Sequence, residues 1–155
     1  LLLKASQSGL SDSQTIAVYI FYNLIFTLCA YPMGILADKR GIKNIFILGI
    51  IFFAIAYIGM AFANNILVIM LLFLVYGLYA AATDGIAKAW IGTTVAASQM
   101  GTATGFYTSF QSLCSMLAST LGGLLWYNFG AHTTFLVSGI GALLVAIFFI
   151  IQFKK

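Results

Sequence analysis

The chain has 155 residues, of which 63% are hydrophobic and only 6% are charged. An average soluble domain has about 25% charged residues, and a soluble fold of this length cannot bury so much apolar surface. The composition therefore excludes an ordinary soluble protein and predicts a chain that is surrounded by lipid. The net charge of +4 comes from few basic residues, which are not gathered on a polar domain, so we expect no binding to nucleic acid.

Five apolar stretches are each long enough to cross a bilayer as a helix, because a hydrocarbon core of about 30 Å needs about 20 residues. They lie at about residues 15–37, 45–63, 66–90, 100–126 and 133–153. Barrel strands would alternate polar and apolar residues, whereas these runs are apolar throughout. The predicted fold class is therefore all-α integral membrane, with five transmembrane helices.

The basic residues divide between the two sides of this predicted membrane. Lys4 lies on one side, and the other side holds Lys39, Arg40, Lys43, Lys154 and Lys155, with Lys88 close by. Loops rich in Lys and Arg are usually cytoplasmic, so we predict a cytoplasmic C-terminus. The opening LLLK is interpreted as the end of an earlier span, which predicts that the chain is a fragment.

The segment GILADKRGIKN, residues 34–44, holds four of the ten charged residues. We interpret it as a latch. Gly34 would let a neighbouring helix approach closely, Asp38 would accept hydrogen bonds at the start of a helix, and Gly41 would permit a tight reversal. The residues of this loop motif are Gly34, Asp38, Lys39, Arg40, Gly41 and Lys43.

Residues 34–43, GILADKRGIK, resemble the G-x-L-a-D-r-x-G-r-k signature of the major facilitator superfamily of transporters. Ile42 departs from the pattern, which usually has a basic residue there. In that family the signature lies in a cytoplasmic loop between helices 2 and 3 and recurs more weakly between helices 8 and 9. Four apolar stretches follow the motif here, so the resemblance implies helices 8–12 with the end of helix 7. Segments VYGLYAAATDG and GTATGFYTSFQSL also resemble the closing helices of bacterial members.

The resemblance implies the C-terminal half of a carrier, one six-helix bundle, that moves a small solute by alternating access. Its partners would be the lipid bilayer, the solute, the missing N-terminal half of the same transporter and, as a further candidate, protons. The expected location is the inner membrane of a bacterial cell. The alternative is a non-transporting membrane scaffold or subunit of packed helices, because charged glycine turns also occur between other membrane hairpins.

Polarity divides the five stretches. The second and fifth have no charged residue in their interiors and few hydrogen-bonding groups, so they are expected to face lipid on most sides. Polar groups in the other three need partners or water. The candidate substrate path consists of Tyr19, Tyr22, Asn23, Tyr76, Tyr79 and Gln111. For Asn23 and the tyrosines of the first stretch, hydrogen bonds across a helix contact are an equal alternative. For Tyr76 and Tyr79 the alternative is aromatic packing. Pro32 predicts a bend or the end of the first helix, and we favour the end.

Asp84 and Lys88 are four residues apart in the third stretch, with the acid first, which is the favourable order on a helix. Three interpretations stay open: a structural ion pair, a coupling site at which Asp84 takes and releases a proton, and part of a cytoplasmic gate. In the fourth stretch Gln111 belongs to a polar face that continues through Thr104, Thr108, Ser115 and Ser119. Gly101 and Gly105 add a small-residue pattern there, which predicts close helix packing or a sliding interface.

Little in the sequence suggests catalysis or metal binding. The chain has one histidine, His132, which we interpret as an ordinary loop residue, and no phosphate loop, catalytic triad or metal-ligand spacing. Cys29 and Cys114 lie inside apolar runs, where cysteine behaves as a small hydrophobic residue. We therefore predict no enzyme, no cofactor and no metal.

Overall fold

The computed structural model describes residues 1, 4 and 11–153. This part of the chain forms four long helices and contains no strand, which confirms the all-α fold class. The helices are α1 (Asp12–Arg40), α2 (Ile42–Phe62), α3 (Ile66–Thr94) and α4 (Met100–Phe153), with a short 3₁₀ turn, Ala97–Gln99, before α4. All four are long and apolar enough to cross a membrane. Leu2, Leu3, Lys154 and Lys155, which entered the predictions of a lost span and of orientation, lie outside the described residues.

Helix α4 contains both of the last two predicted spans. Its backbone leaves helical geometry at Gly130, where φ is 80° and ψ is 173°. This break divides α4 into a first arm, residues 100–129, and a second arm, residues 131–153. The count of five spans stays a prediction.

The helix ends follow local chemistry. Ser11 and Gln14 form a capping box at the start of α1, with Ser11 N–H donating to Gln14 Oε1 at 3.0 Å. At the other end, α1 stops one residue before α2, at Gly41, whose φ is 91°. Asn65 caps α3, because its Oδ1 accepts a hydrogen bond from Leu67 N–H at 2.9 Å.

The predicted end of the first helix at Pro32 is wrong, because α1 continues through Pro32 to Arg40. A proline removes one backbone hydrogen bond and usually ends a helix in water. In hydrocarbon, however, an unravelled end would leave several backbone groups without partners, at several kcal/mol each. Continuing the helix past the proline is therefore the less costly choice.

Successive helices run in opposite directions, so that their ends meet in two layers. One layer, the motif end, contains the loop motif; there the Phe46 ring lies 6.1 Å from the Phe149 ring and 5.8 Å from the Trp90 ring. At the far end, the Phe62 ring lies 5.1 Å from the His132 ring. The far end also holds the larger buried cluster, Val18, Met60, Ala61, Ala63, Ile69, Leu72, Phe73 and Phe135.

Helix α2 lies at the centre of the described bundle, between α3 and the second arm of α4. The expectation that the second stretch faces lipid on most sides is wrong, because within residues 45–63 only Ile55 and Phe62 are exposed. The reason is that small residues on α2 let neighbouring helices pack closely. A comparison of polar groups along the sequence does not reveal this. A Cβ on Gly49 would lie 2.6 Å from Thr83 Cγ2 and 3.1 Å from Ala82 Cβ, so α3 packs against bare backbone there.

The first arm of α4 stands largely clear of the other described helices. Every residue from 109 to 121 is exposed. Close packing at Gly101 and Gly105 is not made within the described chain, because no other part of it comes within 4 Å of a Cβ at either position. The small and polar face of this arm is thus not closely packed against any other described helix.

Candidate functional site

Five tyrosines from α1, α2 and α3 form a connected group of rings, which we call the tyrosine cluster: Tyr19, Tyr22, Tyr57, Tyr76 and Tyr79. Tyr76 is its centre, with ring centroids 5.2 Å from Tyr22, 5.3 Å from Tyr79 and 6.2 Å from Tyr57. These separations are those at which aromatic rings attract each other. Tyr76 and Tyr79 lie about the middle of α3.

Local sequence explains how the rings meet. Residues three apart share a face of a helix, and this spacing joins Tyr19 to Tyr22 and Tyr76 to Tyr79. Gly77 then brings α1 and α3 together, because a Cβ there would lie only 2.8 Å from Ile25 Cγ2 and 3.3 Å from the Tyr22 carbonyl oxygen.

A cavity of about 460 Å³, the Asn23 cavity, lies against the cluster. Its lining residues are Leu1, Tyr19, Tyr22, Asn23, Tyr57, Phe73 and Tyr76. The Asn23 side-chain NH₂ donates to the Tyr19 carbonyl of its own helix at 2.8 Å. The alternative hydrogen bond across a helix contact is not formed with any described residue.

A second cavity, the Asp84 cavity of about 310 Å³, adjoins the first through Tyr22 and Tyr76. Its lining residues are Tyr22, Phe46, Ile50, Tyr76, Tyr79, Ala80, Thr83, Asp84, Tyr107 and Gln111. The structure therefore brings Gln111, from the first arm of α4, to the same space as Asp84 on α3.

Asp84 and Lys88 form an ion pair, with Lys88 Nζ 3.5 Å from Asp84 Oδ1. Both side chains are about half exposed, and Lys88 does not line the Asp84 cavity. A half-exposed pair of this spacing stabilises a helix by only about 0.3–0.5 kcal/mol, so the pair can separate readily.

A third and larger cavity, the broad cavity of about 910 Å³, opens between α2, α3 and the two arms of α4. Tyr57, Tyr76 and Tyr79 form one wall, and Ser115 and Ser119 contribute to the other. Part of the polar face predicted on the fourth stretch thus lines a cavity. All three cavities meet at Tyr76.

The loop motif lies at the motif end, around a cavity of about 640 Å³ lined by Ala37, Asp38, Gly41, Ile42, Lys43, Asn44, Trp90, Thr93 and Phe153. Gly41 has the positive φ that L-residues with a Cβ avoid, and its N–H donates to the Ala37 carbonyl at 2.9 Å. Lys39 and Arg40 lie in the last turn of α1, where positive charge interacts favourably with the helix dipole.

The partners expected for the latch do not belong to the described chain. The Asp38 carboxylate is exposed and makes no hydrogen bond or ion pair with any described residue. Within the same part of the chain, no atom comes within 4 Å of a Cβ on Gly34. Lys43 is different, because its Nζ lies 4.3 Å from the Phe153 ring centroid and 6.0 Å from that of Trp90.

Sequence reasoning missed two tyrosines that line the Asn23 and Asp84 cavities, Tyr57 and Tyr107. Tyr57 is absent from the predicted path because its stretch is otherwise apolar. A tyrosine inside an apolar span nevertheless indicates a candidate lining residue, because its hydroxyl needs a partner or water. Tyr107 lines the Asp84 cavity with Gln111, and its position four residues before Gln111 could have placed both on one helix face.

A sequence model of the Major Facilitator Superfamily matches residues 2–154. The chain belongs to the Major Facilitator Superfamily. This confirms the resemblance that the loop motif suggested, and with the long apolar helices it establishes an integral membrane protein.

Curated members of the Major Facilitator Superfamily are similar to this chain over most of its length. An uncharacterized MFS-type transporter of Methanocaldococcus jannaschii is 33% identical, over 83% of this chain and 32% of the relative. A "Probable galactarate/D-glucarate transporter" of Bacillus subtilis is 30% identical, over 83% of this chain and 30% of the relative. A "Multidrug transporter" of Candida glabrata is 28% identical, over 83% of this chain and 22% of the relative.

This superfamily member thus spans about a third or less of the length of these relatives. No solved structure matches it. The names of the relatives refer to different solutes, so family membership alone does not assign one.

Proposed function

We propose that this chain is part of a secondary active transporter that moves a small solute across a membrane by alternating access. The observation that carries the proposal is the convergence of three cavities on Tyr76, near the middle of α3. Their walls carry polar and aromatic side chains from every long described helix. In a transporter, Tyr76 would then lie deep in the membrane. Polar groups at such depth are costly unless they have partners or water. A solute path accounts for them in a family of transporters.

The chain would form the C-terminal half, helices 8–12 with the end of helix 7, and the missing N-terminal half would supply the opposite wall. Five spans follow if each arm of α4 crosses the membrane. The first arm, residues 100–129, is about 45 Å long and the second arm, residues 131–153, is about 35 Å long, so each exceeds the hydrocarbon core of about 30 Å. The positions of Lys39, Arg40 and Lys43 support a cytoplasmic motif end, with the inner membrane of a bacterial cell as the proposed location.

Within this half, Asn23, Gln111 and the tyrosines Tyr19, Tyr22, Tyr76 and Tyr79 would contact the solute. Tyr57 and Tyr107 join them because they line the same cavities. The loop motif would act as a latch on the cytoplasmic face and stabilise the outward-facing state. Its unpaired Asp38 supports a latch whose other part is the N-terminal half.

Asp84 and Lys88 have three candidate roles: a structural pair, a proton-coupling site and part of a gate. Both side chains are about half exposed, so their ion pair is weak and can form and break. This supports proton coupling and gating, the two roles in which the ion pair would have to break. Proton coupling is tested directly by changing Asp84, as described below.

A scaffold without transport activity is the competing function. The bare small-residue face of the first arm, residues 109–121, favours it, because such faces pack tightly against other membrane helices. The sequence upstream of this chain discriminates between the two, since a carrier predicts six further spans with a second copy of the loop motif.

The full-length protein in proteoliposomes provides the main test. We expect accumulation of at least one labelled solute from a panel of sugars, sugar acids, amino acids and organic cations, measured with and without an uncoupler. The control is liposomes prepared in the same way without the protein. Absence of uptake of every solute by correctly inserted protein would contradict the proposal and favour the scaffold.

A further inference from the structure

The walls of the three cavities around Tyr76 are rich in aromatic rings and poor in positive charge. Asp84 is the one charged side chain among the described residues that line them. The lining rings are Tyr19, Tyr22, Phe46, Phe53, Tyr57, Phe73, Tyr76, Tyr79, Tyr107, Trp126, Tyr127 and Phe135. A bound solute would therefore meet ring faces, neutral hydrogen-bonding groups and one carboxylate.

An anionic solute is poorly matched to these walls. Lys88, the nearest described cation on α3, is engaged with Asp84 and does not line the Asp84 cavity. An anion that enters would lose water and meet no cationic side chain among the described lining residues, which leaves its desolvation cost uncompensated.

A cationic solute is well matched. The faces of aromatic rings attract cations, and cages of aromatic rings recognise quaternary ammonium groups. The rings around Tyr76 are inclined to one another, by 36° for Tyr22, 42° for Tyr79 and 47° for Tyr57. Tyr57 covers one face by stacking on Phe53, with ring centroids 4.0 Å apart and 19° between the planes. Tyr22, Tyr76 and Tyr79 are not stacked flat on one another, so faces of these three rings remain for a guest.

Asp84 adds a counter-charge at the edge of the same space. Its partner Lys88 is half exposed and 3.5 Å away, a contact of the kind that contributes little stability. A solute cation can therefore replace Lys88 at the carboxylate at small cost.

We propose that the tyrosine cluster and Asp84 form the binding site for an organic monocation. The inference rests on the proposed function, because it takes this space to be the solute path, and it adds the chemical class of the solute. Tyr76 provides the central ring face, and Asp84 provides the counter-charge.

Calorimetry on the purified full-length carrier in detergent tests the charge preference without any substitution. The probes are benzyltrimethylammonium and phenylmethanesulfonate, which carry the same ring and opposite charges. We expect the cation to bind at least about tenfold more tightly, since a desolvated cation–π contact contributes that factor. Equal binding, tighter binding of the anion, or binding of neither probe would overturn the proposal.

Substitutions then locate the site. Tyr76→Leu is expected to weaken cation binding about tenfold, whereas Tyr76→Phe keeps the ring and should stay close to the parent protein. The matched control is Tyr31→Leu, because Tyr31 is 77% exposed and lines none of the three cavities. If Tyr76→Leu fails to fold, Tyr22→Leu replaces it, since Tyr22 lines two of the cavities. Unchanged cation binding in a folded leucine variant overturns the assignment.

The two proposals can fail separately. Cation binding without uptake of any solute in proteoliposomes would leave the binding site standing and remove the transport function. Uptake of a sugar acid together with tighter binding of phenylmethanesulfonate would support transport and overturn the cation site.

Discussion

Lys43 Nζ lies 4.3 Å from the centroid of the Phe153 ring and 6.0 Å from that of Trp90. One ammonium group at the start of α2 thereby contacts the last turns of both α3 and α4. A basic residue of the loop motif, expected to mark the cytoplasmic side by its charge alone, thus also ties three helices together at the motif end.

Lys43→Met should lower the free energy of unfolding of the full-length carrier by about 0.5–1 kcal/mol, because an exposed cation–π contact contributes about that amount. Methionine keeps most of the apolar stem, so the change isolates the charge. Thermal unfolding in detergent measures the effect. Lys39→Met is the control, since no ring contact is described for Lys39, and equal losses in both variants would contradict the prediction.

Gly77→Ala should destabilise the carrier by about 1–3 kcal/mol, as expected of overpacking. The added Cβ would lie 2.8 Å from Ile25 Cγ2 and 3.3 Å from the Tyr22 carbonyl oxygen, and backbone cannot move aside easily. Gly85→Ala on the same helix meets nothing described within 4 Å. It should be neutral or stabilising by up to about 1 kcal/mol. Unfolding curves that coincide for the two variants would rule out close packing at Gly77.

Gly130→Ala should destabilise the carrier by about 1–3 kcal/mol, because a φ of 80° with a ψ of 173° is a conformation that residues with a Cβ rarely adopt. Gly141→Ala is the comparison. It lies inside the second arm with open space around it, and alanine favours the helix there. If both alanines raise the unfolding temperature, α4 does not depend on the break at Gly130.

Asp38→Asn should reduce uptake while leaving the amount of inserted protein unchanged. The carboxylate has no partner among the described residues, so its loss removes nothing from the fold of this half. Initial rates of uptake and quantified membrane fractions measure the two effects, with Tyr31→Leu as the control, because Tyr31 is exposed and lies outside the loop motif and the three cavities. Normal uptake in the asparagine variant removes the latch hypothesis.

Asp84→Asn should abolish the dependence of solute accumulation on the pH gradient if Asp84 couples protons. The asparagine amide keeps the size of the side chain, but it can neither take up and release a proton nor form an ion pair with Lys88. Accumulation ratios at two external pH values, with and without an uncoupler, provide the measurement. Retained pH dependence would leave only the structural and gating roles, and Lys88→Met shows whether the pair itself matters.

The fold class and the reversal at Gly41 could be predicted from sequence because both follow from local rules. Long apolar runs need helices in lipid, and a glycine between charged residues permits the turn. The burial of α2 could not be predicted from sequence, because hydropathy measures how strongly residues prefer water and not how closely neighbouring helices pack. The absence of a side chain at Gly49 lets α3 approach closely, which hydropathy does not register.

The site was predicted in part. Polar residues inside apolar spans led to Asn23, Asp84 and Gln111, and each of them lines a cavity in the structure. Their assigned roles stay predictions. Tyr57 escaped notice because its neighbours are apolar, and its importance comes from the tertiary contact with Tyr76, which no local pattern contains.

The connection between the arms of α4 was expected to be a loop around residues 127–132, but only Gly130 leaves helical geometry. Polar side chains that usually favour loops turn back onto their own helix instead. The Asn128 amide donates to the Leu124 carbonyl at 2.8 Å, and the Thr134 hydroxyl donates to the Gly130 carbonyl at 3.0 Å. Such internal bonds let the helix continue almost to the break on both sides.

Because α4 reverses at Gly130 alone, its two arms are joined at the far end without a loop, although residues 127–130 are exposed. A sequence inserted for display at the far end would therefore disturb both arms if it were placed at residue 130. An epitope tag intended for that surface belongs between α2 and α3, at residues 63–65, where three residues outside any helix separate them.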